Sequence, residues 1–357
     1  MKLDHPELLH LMDAIMSARA KGRALDIVGG GTKRFFGEEP SGEPLDVRYL
    51  TGISSYEPSE LVITARAGTP VTELEAALAE HHQHLPFDPP HYSQGSTVGG
   101  MVATGLSGPA RVSAGSIRDF VLGATMLNGK GEVLTFGGQV MKNVAGYDVS
   151  RLLVGSLGIL GVICEVSLKV LPVHSSSVTL MFNRDEATAL SALTAFAAQA
   201  LPVNASAWHH GQLFLRLSGA AAAVLDAQTR LGGNALEPGE AMAWWQAVRD
   251  HRHSYFADND TPLWRLSVPA VAAPLHLPNQ FIEWGGALRW LRTEAHVDEV
   301  RAMAAKLGGH ATLFKDPQRR SGVFTPLSEA LSQIHRDLKC AFDPDRVFNP
   351  GRLYCGL

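Results

Sequence analysis

The chain has 357 residues, enough for two or three domains that each bury an apolar core, and its 45% hydrophobic content excludes extended disorder. Charged residues make up only 18%, and a formal net charge of −4 with pI near 6.4 leaves no basic face for nucleic acid or anionic lipid. Cys164, Cys340 and Cys355 lie far apart without a C-x-x-C pair, which argues against an iron–sulfur cluster, a structural zinc or a disulfide framework in this chain, so no metal is expected. In chain order, Asp4, Glu7 and Asp13 stand where a signal peptide would be basic and then apolar. Pro6 to Lys21 has helical spacing, with apolar residues at Leu8, Leu11, Met12 and Ile15. Ala24 to Val28 reads as a short strand running into glycines, and Leu61 to Ala65 as another strand. Thr69-Pro70 starts a helix through His81. Phe120–Leu127 and Glu132–Phe136, around Asn128-Gly129-Lys130-Gly131, form a β-hairpin, and Gly161–Leu171 a further strand.

Beyond Pro172 the rhythm changes. Val178–Phe182, Glu186–Ala200, Ala205–His209, Leu213–Leu217 and Ala220–Leu231 read strand, helix, strand, strand, helix, and Phe281–Trp284, Ala287–Leu291, Val297–Leu307 and Ala311–Phe314 partly repeat the pattern. This predicts an α+β unit with a mainly antiparallel sheet, built as a duplicated ferredoxin-like motif. The longest apolar stretch, Leu152 to Val173, is broken by Glu165 and Lys169 and is no membrane span, so a cytoplasmic protein without direct membrane insertion is expected.

Glycine is concentrated in the front. Between Val28 and Gly161 fall 22 of the 35 glycines, where even placement gives about 13. The Walker pattern fails at Gly129-Lys130, where Ala124 and Gly131 occupy its first and last positions. The Rossmann pattern laid on Gly29 and Gly31 meets Arg34 instead of a third glycine, with no helix following. Several glycine loops remain, and consecutive backbone N–H groups in such turns can hold a pyrophosphate without cationic side chains.

The order of Val28-Gly29-Gly30-Gly31-Thr32-Lys33, Gly95-Ser96-Thr97-Val98-Gly99-Gly100, Lys142-Asn143-Val144-Ala145-Gly146-Tyr147-Asp148, Gly155 to Ile163, and Phe342-Asp343-Pro344 with Phe348-Asn349-Pro350-Gly351-Arg352 resembles the FAD-linked oxidase family of the PCMH or vanillyl-alcohol-oxidase type. Within it, the chain is most similar to the FAD-binding subunits of bacterial glycolate oxidases. The resemblance implies a PCMH-type FAD-binding domain of two α+β subdomains over residues 1–173, an α+β cap over 174–330, and a segment over 331–357 returning to the FAD domain. It implies that Gly29, Gly30, Gly31, Thr32 and Lys33 wrap the FAD pyrophosphate. Ser96, Thr97, Gly99 and Gly100 would close over it, Gly105, Gly115 and Ser116 continue the wall, and Gly161, Val162 and Ile163 follow the loop along the adenosine and ribityl side. Leu157 and Ile159 stand where the wider family has Glu and Thr, which removes polar contacts from that wall. Many relatives attach FAD through a His in the first glycine loop; Thr32 and Lys33 there imply a noncovalent flavin.

Oxidising a 2-hydroxy acid needs a cation for the carboxylate and a base for the hydroxyl proton. The His-rich acidic segment of catalytic relatives is not found, and His209, His210, His251, His253 and His296 read as core or solvated histidines, so no catalytic residue is assigned. His81 and His84 have the spacing to share a metal or to suit a helix C-terminus. Lys142 either contacts the cofactor or pairs with Asp148, and Arg319-Arg320 either binds a carboxylate or is a solvated pair. Trp208, Trp244, Trp245, Trp264, Trp284 and Trp290, all in the back unit, are expected to supply core and a face covered by another subunit. The resemblance implies a complex with a catalytic flavoprotein subunit and an iron–sulfur subunit, acting on a small 2-hydroxy acid and held, if at a membrane, only through those partners. A self-sufficient flavin dehydrogenase and a flavin-free scaffold are the competing readings.

Overall fold

The computed structural model describes residues 5–138, 147–258, 260–318, 320 and 322–357. Helix α1 (Pro6–Ala20) has Pro6 in its first turn and buries Leu8, Leu11, Ile15 and Ala18 along one stripe. That stripe packs with Leu25, Leu45, Val347 and Phe348 around a parallel pair, β1 (Leu25–Val28) and β2 (Glu43–Asp46). Parallel neighbours need a crossover. Here residues 29–42 provide it as an irregular loop, leaving the glycines of 29–31 free to line a cleft. Beside β1 the C-terminal segment is added: the Leu25 N–H donates to Val347 O at 2.7 Å, and the Asn349 N–H donates to Leu25 O at 2.9 Å.

A five-stranded antiparallel sheet follows, in the order β3-β4-β8-β6-β7. It comprises β3 (Ile53–Glu57), β4 (Val62–Arg66), β6 (Val121–Leu127), β7 (Val133–Gly137) and the central β8 (Val162–Lys169). The expected hairpin is β6–β7, with the Asn128 side chain accepting from the N–H groups of Lys130 and Glu132 at 2.9 Å each. Helices α2 (Val71–Ala79) and α3 (Val98–Thr104) contribute Leu74, Leu78, Met101 and Val102 to the core of this sheet. A two-residue pair, β5 (Gln83–His84) with β9 (Leu171–Pro172), and single-turn helices α4 (Arg111–Ala114), α5 (Ile117–Phe120) and α6 (Val149–Leu152) complete this half. Because α2 stops at Ala79, His81 and His84 lie beyond it, with the His81 ring against Tyr56 and the His84 ring against His174. Among the described residues no three metal-ligating side chains come together.

The back half contains β10 (Ser176–Asn183), α7 (Glu186–Ala197), β11 (Val203–His209), β12 (Gln212–Gly219), α8 (Ala221–Leu231) and β13 (Asn234–Ala235). After α9 (Pro238–Arg249) and the single turn α10 (Ser254–Ala257) come β14 (Leu263–Ser267), β15 (Gln280–Glu283), β16 (Leu288–Arg292), α11 (Val297–Lys306) and β17 (His310–Lys315). The strand order β13-β10-β12-β11-β15-β16-β14-β17 is one ferredoxin-like unit followed by its mirror-ordered repeat, joined edge to edge at Ala207↔Glu283 and Trp208↔Ile282. The predicted duplication is therefore present, with residues 268–279 replacing the first helix of the second unit.

The tryptophans correct one expectation. Trp208, Trp245, Trp264, Trp284 and Trp290 are buried, and four of their indole N–H groups are satisfied internally: Trp208 by Arg184 O, Trp245 by Thr179 Oγ1, Trp284 by Gly108 O and Trp290 by Glu283 Oε1. These five fill the interior, as the core half of that expectation has it, and so are not at a face for another subunit; Trp244 is half-buried and stacks on Phe214. Of the loop residues left open above, Arg320 pairs with Asp316 at 2.9 Å and Asp148 caps α6 through the Arg151 N–H. Residues 142–146 and Arg319 lie outside the described residues.

Helix α12 (Glu329–Phe342) leads back to the front half. Its Lys339 is buried and donates to Asp343 Oδ2 at 2.7 Å, Ile159 O at 2.7 Å and Phe348 O at 2.8 Å. Asp343, also buried, accepts from the N–H groups of Val347 at 2.9 Å and Phe348 at 2.8 Å. Asp343→Ala leaves a buried ammonium without its counter-charge and is expected to cost about 3–5 kcal/mol in urea unfolding. Adding Lys339→Met should restore part of that loss; a single-variant loss below about 1 kcal/mol would contradict this account.

Candidate functional site

A cleft opens where β1 ends. Its floor is residues 26–34, its sides are Thr97, Gly100 and Thr104 of the α3 turn with Leu157 opposite, and Asn349 and Arg352 close it from the C-terminal segment. The N–H groups of Gly29, Gly30, Gly31, Thr32 and Lys33 donate to no protein acceptor among the described residues. Five adjacent unspent donors on a concave loop constitute an anion nest. Glycine is required by the approach of the loops: a Cβ on Gly29 would lie 2.6 Å from Thr97 Oγ1, and one on Gly30 would overlap the carbonyl oxygen of Gly95.

Asn349 fixes the cleft's two walls at once. Its Oδ1 accepts from the Ile27 N–H at 2.8 Å, and its Nδ2 donates to Leu157 O at 2.7 Å. Arg352 donates to Arg34 O at 3.0 Å and Phe36 O at 2.6 Å, holding the far end of the glycine loop. Asp26, an acidic group on the floor, is paired with Arg34 at 2.7 Å and so does not oppose an anion. Lys33 is buried and donates to Ser96 Oγ at 2.6 Å, with its ammonium 5.9 Å from the centre of the Tyr92 ring. Burial holds its pKa down to about 8, against the opposing pull of Asp250.

The expected site residues divide by position. Gly29 to Lys33, Thr97 and Gly100 meet at the cleft, with Ser96 behind them holding Lys33. Gly99 packs on Ala67, and Gly105 ends α3 at φ +64° against Gly155. Gly115 and Ser116 form the turn and capping box of α5. Gly161 packs on Met126 and Leu127, and Val162 and Ile163 are core residues of β8. Asp26, Arg34, Asn349 and Arg352 are cleft residues that the sequence reading did not place there. The run Phe348-Asn349-Pro350-Gly351-Arg352 carried the only signal for the last two. Leu157 lines the cleft as an apolar wall at φ +50°.

Fold and cleft define a flavoprotein with a PCMH-type FAD-binding domain, and the residues present fit the dinucleotide: free donors, a backbone approach that a side chain would block, and a neutralised acid. A family model described as an FAD binding domain matches residues 9–137. Glycolate oxidase subunit GlcE of Escherichia coli (strain K12) is 44% identical over 348 residues, 97% of this chain and 97% of that protein. Glycolate oxidase subunit GlcD of Bacillus subtilis (strain 168) is 29% identical over 178 residues, 49% of this chain and 38% of that one. The mitochondrial cytochrome-type D-lactate dehydrogenase of Arabidopsis thaliana is 31% identical over 139 residues, 39% of this chain and 24% of that one. A solved structure of alkyldihydroxyacetonephosphate synthase superposes with a TM-score of 0.65 at 16% identity, covering 96% of this chain and 75% of that one, and so shares the fold. The chain belongs to the GlcE family of glycolate oxidase subunits, FAD-binding oxidoreductase components. Its cofactor is FAD, which removes the flavin-free scaffold reading.

Two outcomes follow for the cleft. Gly30→Ala should abolish stabilisation of the chain by added FAD in a thermal-shift assay. Gly31→Ala, with open space around the Cβ but φ +70°, should keep it at a cost of about 1–2 kcal/mol in stability. The second concerns pH. Above about 8 the Lys33 amine of the FAD-free chain is neutral, whereas a pyrophosphate in the cleft favours the ammonium, so binding takes up a proton. FAD affinity should fall as pH rises past 8, by at most about tenfold per pH unit, and Lys33→Met should flatten that profile. The free chain's own stability has the opposite sign, because the unfolded lysine keeps its proton up to 10.5 while the folded one loses it near 8.

Proposed function

We propose that this chain is the FAD-binding subunit of a multi-subunit glycolate, or 2-hydroxy acid, oxidase, holding FAD noncovalently and taking part in electron transfer as glycolate is oxidised to glyoxylate. The nest of five unspent N–H donors on Gly29 to Lys33 carries the cofactor half of this reading. Likeness to a protein named as an oxidase subunit supports the assembly half. The noncovalent mode is supported by the cleft lining, which among the described residues contains no His, Cys or Tyr to form a bond to the flavin. Bound FAD supplies a two-electron acceptor. The protein's part is to hold the pyrophosphate on backbone donors and to keep Lys33 as a buried cation beside the loop.

The proposed partners are a catalytic flavoprotein subunit and an iron–sulfur subunit, with this chain in the cytoplasm and at a membrane only through them. Among the described residues no helix is long and apolar enough to cross a membrane. Acid precipitation of the purified yellow protein should release all its flavin into the supernatant. Reconstitution with the partner subunits should raise glycolate-dependent dye reduction well above that of this chain alone. Colour retained in the pellet would overturn the noncovalent mode, and full turnover by the isolated chain would select the self-sufficient dehydrogenase.

A further inference from the structure

A second pocket, of about 500 Å³, lies between α9 and the sheet at β10 and β12. It exists because of how α9 is loaded. Trp245 stands between helix and sheet: its indole N–H donates to Thr179 Oγ1 at 2.9 Å, and the Arg216 guanidinium lies 5.0 Å from the ring centre. An indole holds the helix well off the strands. One turn nearer the helix N-terminus the residues are Ala241, too small to fill the gap, and Met242, which is 62% exposed. A core at ordinary packing density would place a large side chain there. The volume falls in the range of small-molecule sites and far exceeds what a two-carbon acid occupies.

The lining changes character along the helix. Val178, Leu236, Ala241 and Met242 make one part aliphatic, and Arg249, seven residues or about 10 Å beyond Met242, joins Arg216 and Asp88 in a charged part. Arg216 donates through Nε to Asn204 Oδ1 at 2.6 Å and through Nη2 to Asp88 Oδ2 at 2.7 Å, while Arg249 places Nε and Nη2 on Asp250 at 3.0 Å each. In both arginines Nη1 has no acceptor among the described residues. Asp88, the one acid on the lining among the described residues, already accepts from Arg216 and from the Ala110 N–H at 3.2 Å. Asp250 stands outside the lining and is shared with Arg252 at 3.3 Å and the His91 N–H at 3.0 Å. The lining therefore has two cations against one anion, and two guanidinium nitrogens whose hydrogens are unspent.

We propose that this pocket binds a medium-chain aliphatic carboxylate, its two oxygens taking hydrogens from Nη1 of Arg216 and of Arg249 and its chain lying along Val178, Leu236, Ala241 and Met242. Charge-assisted bonds from guanidinium to carboxylate are the strong ones, and a single negative charge matches the excess on the lining, where the second charge of a phosphate would go unpaired. The chain is aliphatic because the one aromatic ring on the lining, Trp245, is buried with Arg216 over it, and because a methionine adapts to a flexible chain. No residue lines both this pocket and the flavin cleft, so occupancy of one is independent of the other. The Arg216–Asp88 pair and the bond from the His91 N–H to Asp250 join the back half to the front beside the charged part, so a bound acid strengthens that junction.

The test is calorimetric titration of the full chain, with and without FAD, using octanoate, octanol, acetate and inorganic phosphate. Octanoate should bind saturably at one site and raise the melting temperature. Octanol, which lacks the carboxylate, and acetate, which lacks the chain, should each bind more weakly by about tenfold or more, as should phosphate. Added FAD should leave octanoate affinity unchanged. Arg249→Gln should weaken octanoate about 10- to 100-fold. Because that variant also removes a partner of the buried Asp250, Met242→Asp is the second test: it changes an exposed helix position and sets a carboxylate beside the chain, so it should lower octanoate affinity about tenfold while the protein stays folded. Octanoate binding that does not saturate, that is unchanged in Met242→Asp, or that FAD displaces overturns the proposal, as does octanol or phosphate binding as tight as octanoate.

Discussion

The buried Lys339–Asp343 pair is the constraint on which the cofactor cleft depends. Two charges removed from water are favourable only when every donor and acceptor is met. Here the ammonium's three hydrogens go to Asp343, Ile159 O and Phe348 O, and the carboxylate takes two backbone N–H groups in addition. The pair therefore joins three stretches distant in sequence: the end of α12, the loop before β8, and the strand-like segment beside β1. Asn349, one residue beyond the bonded Phe348, spans the cleft between Ile27 and Leu157. Cleft width is thus set from beneath by an ion pair that never touches the cleft.

The two halves divide the electrostatic work. In the front, anion binding is assigned to backbone amides, and glycine serves because the loops approach within a Cβ's breadth. In the back, rigid side chains on a duplicated antiparallel sheet point cations and aromatic rings toward the front. Cluster contacts among Phe36, Leu106 and Leu157 on one side and Trp245, Trp284 and Trp290 on the other make the junction an apolar core. Charges such as Arg265 and Lys33 in that surrounding act at low dielectric, where a ligand's charge is felt strongly.

Much of this was legible in the sequence where the signal is local. The β6–β7 hairpin follows from Asn128-Gly129 and alternation, α1 from its apolar stripe, and the repeated ferredoxin-like order from the succession of element types. Elements with weak local signals were not read: β2 contains Pro44, and the apolar positions of α12 include the half-exposed Leu331 and Ile334. The tryptophans misled because composition alone cannot tell a buried indole with an internal acceptor from one at an interface. Asn349 and Arg352 were visible as a motif but not as cleft residues, since their partners Ile27 and Phe36 lie more than 300 positions away.

The pairing of residues 347–349 with β1 also has a consequence in time. Synthesis runs from the N-terminus, so the glycine loop, α3 and the five-stranded sheet emerge long before Asp343 and Asn349 do. Until those residues leave the ribosome, β1 has only β2 beside it, the loop before β8 lacks its Lys339 anchor, and the nest has no fixed width. The width of the nest is accordingly set last, when residues 339–349 join a front half already made.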